Sequence, residues 1–235
     1  MTGMCATLRP PETAIRSETQ PLCRTHGLSR NIEQRRILRN IDLEVYPGER
    51  IALTGSNGAG KTTLLRCLAA AIRPTGGMVE WSFGSRAVPE KLREQLGVVA
   101  HDTRLHPNLT ASENLMFAAR MCGLPNPETQ VHRWLQQCGL SAAATRPCDR
   151  LSRGMLQRLA VARSLIHEPQ LILLDEPFSG LDSSGCEWLC ELLRDFSNRG
   201  HAVVFATHEP RWVTELATRI WILESGRLKE SICDC

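Results

Sequence analysis

The run Gly55-Ser56-Asn57-Gly58-Ala59-Gly60-Lys61-Thr62-Thr63 fits G-x-x-x-x-G-K-[ST] and constrains this chain more than any other stretch. An apolar segment, Ile51-Ala-Leu-Thr54, precedes it and reads as a buried strand. A helical pattern, Thr62 to Ala71, follows. Strand, glycine loop and helix in that order form a phosphate-binding P-loop. The glycines let backbone N–H groups wrap an anion, and the helix N-terminus adds positive charge at the same place. Lys61 is expected to reach the β- and γ-phosphates of a nucleoside triphosphate, and Thr62 to place its hydroxyl on Mg²⁺.

Three later segments fit the same chemistry. Leu171-Ile-Leu-Leu-Asp175-Glu176 is an aliphatic run suited to a strand buried on both faces. It ends in a candidate Mg²⁺ ligand, Asp175, and a candidate general base, Glu176. Leu151-Ser152-Arg153-Gly154-Met155 opens an amphipathic pattern with Ser152 at the N-cap. Such a helix start can meet phosphate from a second side. Ala206-Thr207-His208 follows another strand pattern, and His208 is a candidate γ-phosphate contact that orients the water.

In this order the segments resemble the nucleotide-binding subunit of an ATP-binding cassette (ABC) transporter, from about Arg24 to Leu228. The resemblance implies a P-loop NTPase of the α/β class. It has a mostly parallel RecA-like core, an added antiparallel β subdomain and an α-helical lobe carrying the signature. It implies ATP and Mg²⁺ as ligands, and ATP hydrolysis as the activity. Two cassettes would meet head to tail, so that Ser152, Arg153, Gly154 and Met155 face the γ-phosphate held by the other copy, and Asp182 lines the dimer seam. The partners implied are a second cassette, identical or related, and a transmembrane permease at the cytoplasmic face of the membrane.

The chain departs from the family pattern at several positions. The signature is usually Leu-Ser-Gly-Gly-Gln; Arg153 and Met155 replace its third and fifth residues. His101 stands where a Gln near the metal is usual, with Asp102 beside it as a second candidate. By alignment Ile32 takes the place of the aromatic residue that stacks on adenine. The segments His101–Phe117 and Ser152–Leu159 look like the haem-exporter subgroup of cytochrome c maturation. Drug, lipid and ABC-2-type exporters share some of these features, and a soluble non-transport ABC ATPase is the remaining alternative.

Composition agrees. The 235 residues, 42% hydrophobic and 23% charged, suit one globular unit with a substantial core. No apolar run reaches the roughly 20 residues that span a bilayer, and the N-terminus shows no signal-peptide pattern. A cytoplasmic protein with a separate membrane subunit is expected. Residues 1–39 carry seven Arg against three Glu, and 1–20, rich in Pro, Thr and Ser, read as a flexible tail ahead of one unit, 21–235. The remaining charge pattern gives no nucleic-acid surface. The ten cysteines lack a paired zinc-type spacing, so free thiols are expected. Helical patterns fill about 105–167, read as the signature lobe. Trp134, Trp188, Trp212 and Trp221 are expected in packing, and the 105–125 region with Phe117 as a permease contact.

Overall fold

The computed structural model describes residues 20–84 and 89–232. The expected tail, apart from Gln20, and the Cys233–Cys235 cluster lie outside them, as does Cys5.

Two sheets build the frame. The larger has the order β5-β6-β7-β3-β8-β9. Its strands are Leu96–Val99 (β5), Leu171–Asp175 (β6), Ala202–Ala206 (β7), Arg50–Thr54 (β3), Arg219–Glu224 (β8) and Arg227–Ile232 (β9). The first five run parallel, and β9 closes the edge antiparallel to β8. The smaller sheet is antiparallel, β2-β1-β4, from Cys23–Ile32 (β1), Arg35–Val45 (β2) and Gly76–Trp81 (β4).

Continuous apolar strands follow from burial on both faces. Along β6, Ile172 and Leu174 enter a core with Leu159 and Leu189, on helices Arg153–Leu165 (α5) and Ser183–Asn198 (α6), and with Trp212 on Pro210–Leu216 (α7). Leu171 and Leu173 enter the opposite core, with Leu64 and Leu68 of Lys61–Leu68 (α1) and the antiparallel sheet. The parallel strands therefore form a middle layer, with their C-terminal ends free to carry a site. Trp134, Trp212 and Trp221 are buried in these cores. The partly buried Trp188 donates to the Gln137 carbonyl.

The helical block consists of Ala111–Met121 (α3), Pro127–Gln137 (α4), α5 and two short 3-10 turns. It starts later than the expected 105, because Thr110 and Glu113 form a capping box that fixes the first turn of α3. Helix α1 stops at Leu68, short of Ala71, where the helical pattern ends. Trp81 Nε1 donates to the Leu68 carbonyl at 3.0 Å, and Ala70 turns left-handed at φ 54°.

Two elements had no clear sequence signal. One is the short helix Pro89–Glu94 (α2). The other is β9, whose polar run, Arg227-Leu-Lys-Glu, becomes a strand only through pairing with β8 across the two-residue turn Ser225–Gly226. Arg219 fastens this edge. Its side chain is 7% exposed and reaches Glu49 at 3.1 Å and Glu230 at 2.7 Å.

Candidate nucleotide site

A cavity of about 540 Å³ opens at the C-terminal ends of β3, β6 and β7. Asn57, Gly58, Gly60, Lys61, Thr62 and Thr63 line one side; Asp175, Glu176, Ser179 and His208 line another; His101 and Ile37 complete it. Ten of the expected residues thus meet in one place. Gly55, Ser56 and Ala59 shape the loop without lining the cavity. A Cβ at Gly55 would fall 2.3 Å from the Leu223 carbonyl oxygen, so the loop packs there only as glycine.

Lys61 is buried, yet no carboxylate lies within ion-pair distance among the described residues. Its ammonium donates to the carbonyls of Gly55, at 2.7 Å, and Ser56, at 3.3 Å. A buried cation held by neutral carbonyls favours an anion beside it. Thr62 Oγ1 donates to Asp175 Oδ2 at 2.7 Å, joining the end of β6 to the start of α1. Glu176 adopts φ 52°, uncommon for a residue with a Cβ, and its N–H donates to the Ala206 carbonyl at 3.0 Å. That turn leaves the carboxylate 16% exposed, with Oε2 3.0 Å from His208 Nδ1.

Other expected members lie elsewhere. Ile32 does not line the cavity: it ends β1, 44% exposed and paired with Arg35. The chain reverses at 33–34, and Ile37, five residues on, stands against the P-loop instead; a Cβ at Gly60 would lie 3.0 Å from its Cγ2. Ile37 and Ser179 were absent from the sequence-based site. Ser179 lies three residues before Asp182, the expected seam residue, whereas Ile37 gave no signal. Asp102 is exposed and outside the lining.

The signature residues are also outside the cavity lining. Ser152 caps α5, its hydroxyl accepting from the Met155 N–H at 3.3 Å. Asp182 caps α6, accepting from the Gly185 N–H at 2.8 Å. The Gly185 N–H and then the Ser184 hydroxyl hold its carboxyl below the usual range. No disulfide joins the seven cysteines among the described residues. Burial pushes the Cys138 thiol up to about 12 and Cys190 up to about 11, which makes both unreactive at neutral pH. No helix of the described residues is long and apolar enough to cross a membrane.

Comparison with known proteins agrees with this arrangement. The profile of the ABC transporter family matches residues 38–179. The chain is 38% identical over 188 residues to the cytochrome c biogenesis ATP-binding export protein CcmA of Bordetella bronchiseptica, covering 80% of this chain and 83% of that protein. It is 34% identical over 215 residues to the uncharacterised ABC transporter ATP-binding protein YdbJ of Bacillus subtilis, covering 91% of this chain and 70% of that protein. Among solved structures, a dimer of the ATP-binding cassette MJ0796 in a post-hydrolysis state with ADP and Pi superposes with a TM-score of 0.82 at 25% identity. It covers 91% of this chain and 99% of that one. The chain belongs to the ABC transporter family, as an ATP-binding cassette that hydrolyses ATP.

Proposed function

We propose that this chain powers a membrane exporter by pairing with a second cassette, its own copy or a sibling, around ATP. The division of the site carries this reading. Lys61, Thr62, Asp175, Glu176 and His208 share one cavity, while the signature turn 152–155 of the same chain stands outside it. A second cassette supplies a signature turn to close the open side. The solved dimer of MJ0796 with ADP and Pi supports such pairing.

In this mechanism the P-loop amides from Asn57 to Thr63 and the Lys61 ammonium bind the β- and γ-phosphates. Glu176 orients the attacking water and takes its proton. His208 holds the Glu176 carboxylate and meets the γ-phosphate. The partner's copy of Ser152 and Gly154 contacts that phosphate from across the seam, with Asp182 at the seam's edge. Ile37 provides the apolar wall for the nucleobase. The donor set fits Mg²⁺. Thr62 and Asp175 offer adjoining oxygens, His101 lines the same cavity, and no cluster of three or more His, Cys, Asp or Glu forms a closed cage among the described residues. Mg²⁺ keeps phosphate and water ligands and needs few from protein. Bound there, it would neutralise charge on the phosphates.

ATP acts as a ligand with higher affinity for the closed pair than for the open one. Closure moves the helical block and, through 101–120, a permease on the cytoplasmic face of the membrane. Phe117, 49% exposed and edge-on to His106, and Met121, 72% exposed, give α3 an apolar face suited to that contact. Haem export for cytochrome c maturation is the cargo we favour, on the His101–Phe117 and Ser152–Leu159 segments and the likeness to CcmA. An exporter of drugs, lipids or ABC-2 type is the second reading.

Two experiments test these levels. Hydrolysis that rises more steeply than linearly with protein concentration, and disappears in Glu176→Gln, is expected; a linear rise contradicts the pairing. Deleting the gene is expected to abolish holocytochrome c while apocytochrome persists, with rescue by the wild-type chain and none by Lys61→Ala. Normal holocytochrome c would remove the haem reading and leave the ATPase reading intact.

A further inference from the structure

The signature helix α5 is tied along its length to the two loops that reach the nucleotide cavity. Near its C-terminal end the Arg163 guanidinium donates to the carbonyls of Thr103, at 2.6 Å, and Arg104, at 2.7 Å, just past the cavity residue His101. Gln157 Nε2 donates to the Pro177 carbonyl at 2.9 Å, and Arg158 Nη2 lies 3.4 Å from both Asp182 and Ser184. At the N-terminal end, Arg153 Nη2 donates to Ser179 Oγ at 2.7 Å. Of the residues 177–184, Ser179 alone lines the cavity. Arg153 is therefore the α5 side chain that grips the cavity wall itself.

The surroundings of Arg153 are built for this contact. A Cβ at Gly180 would sit 2.7 Å from Arg153 Cγ and 2.8 Å from Cδ and Nε, so the stem lies across a position that only glycine leaves open. Gly180 also has φ 83°, a conformation that side chains disfavour. A Cβ at Gly154 would come within 3.0 Å of the Gly180 carbonyl oxygen, so turn and loop meet backbone to backbone. Local electrostatics does not explain the residue. Arg153 is the first residue of α5, where the helix's positive end disfavours a cation, and no carboxylate pairs with it among the described residues.

We propose that Arg153 is a positioning residue. It couples the wall of the chain's own nucleotide cavity, at Ser179, to the signature turn 152–155 that meets the second nucleotide. Occupancy of one cavity then sets the geometry offered to the other. The inference rests on the reading that this cavity takes ATP.

Amide hydrogen exchange tests it at a protein concentration where the chain sediments as a monomer, with and without a non-hydrolysable ATP analogue. In the wild-type chain, nucleotide is expected to slow exchange in the P-loop and in 153–156. In Arg153→Ala the P-loop response stays and the 153–156 response is lost; Arg153→Lys, which keeps a donor, restores part of it. In steady state, Arg153→Ala is expected to lower kcat about fivefold with KM for ATP within about twofold, and to bring the Hill coefficient for ATP toward one. Ser179→Ala alone is expected to lose the same 153–156 response, because both residues act through one contact. A full 153–156 response in either variant overturns the proposal. A wild-type P-loop that responds while 153–156 stays silent also overturns it. A P-loop that does not respond at all instead defeats the nucleotide reading of the cavity.

Discussion

The P-loop side of this cassette and its signature side are built to different degrees of completion within one chain. On the P-loop side Lys61 is buried, Thr62 and Asp175 are bonded across 113 residues of sequence, and Glu176 is held in a left-handed turn against His208. On the signature side Ser152 and Arg153 are exposed, and their polar groups are engaged locally, in the cap of α5 and on Ser179. One side is organised by the parallel sheet at its core. The other is a helix start that becomes a binding surface only when something docks on it. In the proposed mechanism, chemistry placed on the sheet and specificity for the closed pair placed on the helix let one ligand drive a conformational cycle.

Substitutions on the two sides should separate binding from turnover. Lys61→Ala is expected to have the largest effect, a loss of hydrolysis of about 10³-fold together with weakened ATP binding, since it removes the buried charge-assisted donor; nucleotide titration checks the second part. Glu176→Gln is expected to lower hydrolysis about 10²-fold or more while ATP still binds, as for removal of a general base. His208→Ala acts on the same carboxylate and is expected to cost about tenfold or more in kcat, with little change in ATP affinity. Ser152→Ala is expected to leave ATP binding to the monomer unchanged and to lower turnover by roughly tenfold. It should also cost about 1 kcal/mol of stability for the lost cap, measured by denaturant unfolding. If Ser152→Ala weakened monomer binding as much as Lys61→Ala does, the two sides would not be separate.

The smallest expected effect concerns pH. The Gly185 N–H and the Ser184 hydroxyl lower the Asp182 pKa. The stability this group contributes is therefore present above the ordinary aspartate range and is lost as pH falls through the lowered value. The protection factor of the amides at 183–185, which removes the intrinsic pH dependence of exchange, should accordingly stay flat from pH 7 down to about 4 and fall only below that. Opening of the α6 start near pH 6 would show that the cap is held by something else.

Much of this comparison was readable in the sequence on the P-loop side. Glycine spacing, aliphatic runs and terminal carboxylates are local signals, and they predicted β3, α1, β6 and β7 together with the residues that meet in the cavity. The unread parts depend on contacts between distant segments. Strand β9 is polar and exists through its register with β8. Ile37 reaches the P-loop because the β1–β2 hairpin reverses at 33–34, so the alignment that singled out Ile32 missed the cavity wall by five residues. Arg153 was visible as a departure from the family pattern, but its bond to Ser179 needs the fold to bring positions 26 residues apart together. The left-handed turn of Glu176 carries no sequence mark, because it is imposed by the Ala206 carbonyl on the neighbouring strand.

Sedimentation of the Glu176→Gln chain with and without ATP separates a paired cassette from a single one. A species of 26.2 kDa is expected without nucleotide and one of twice that mass with ATP, with the larger species abolished by Lys61→Ala or by Ser152→Arg. A 26.2 kDa species that binds ATP and stays single at every protein concentration would contradict pairing of the chain with its own copy.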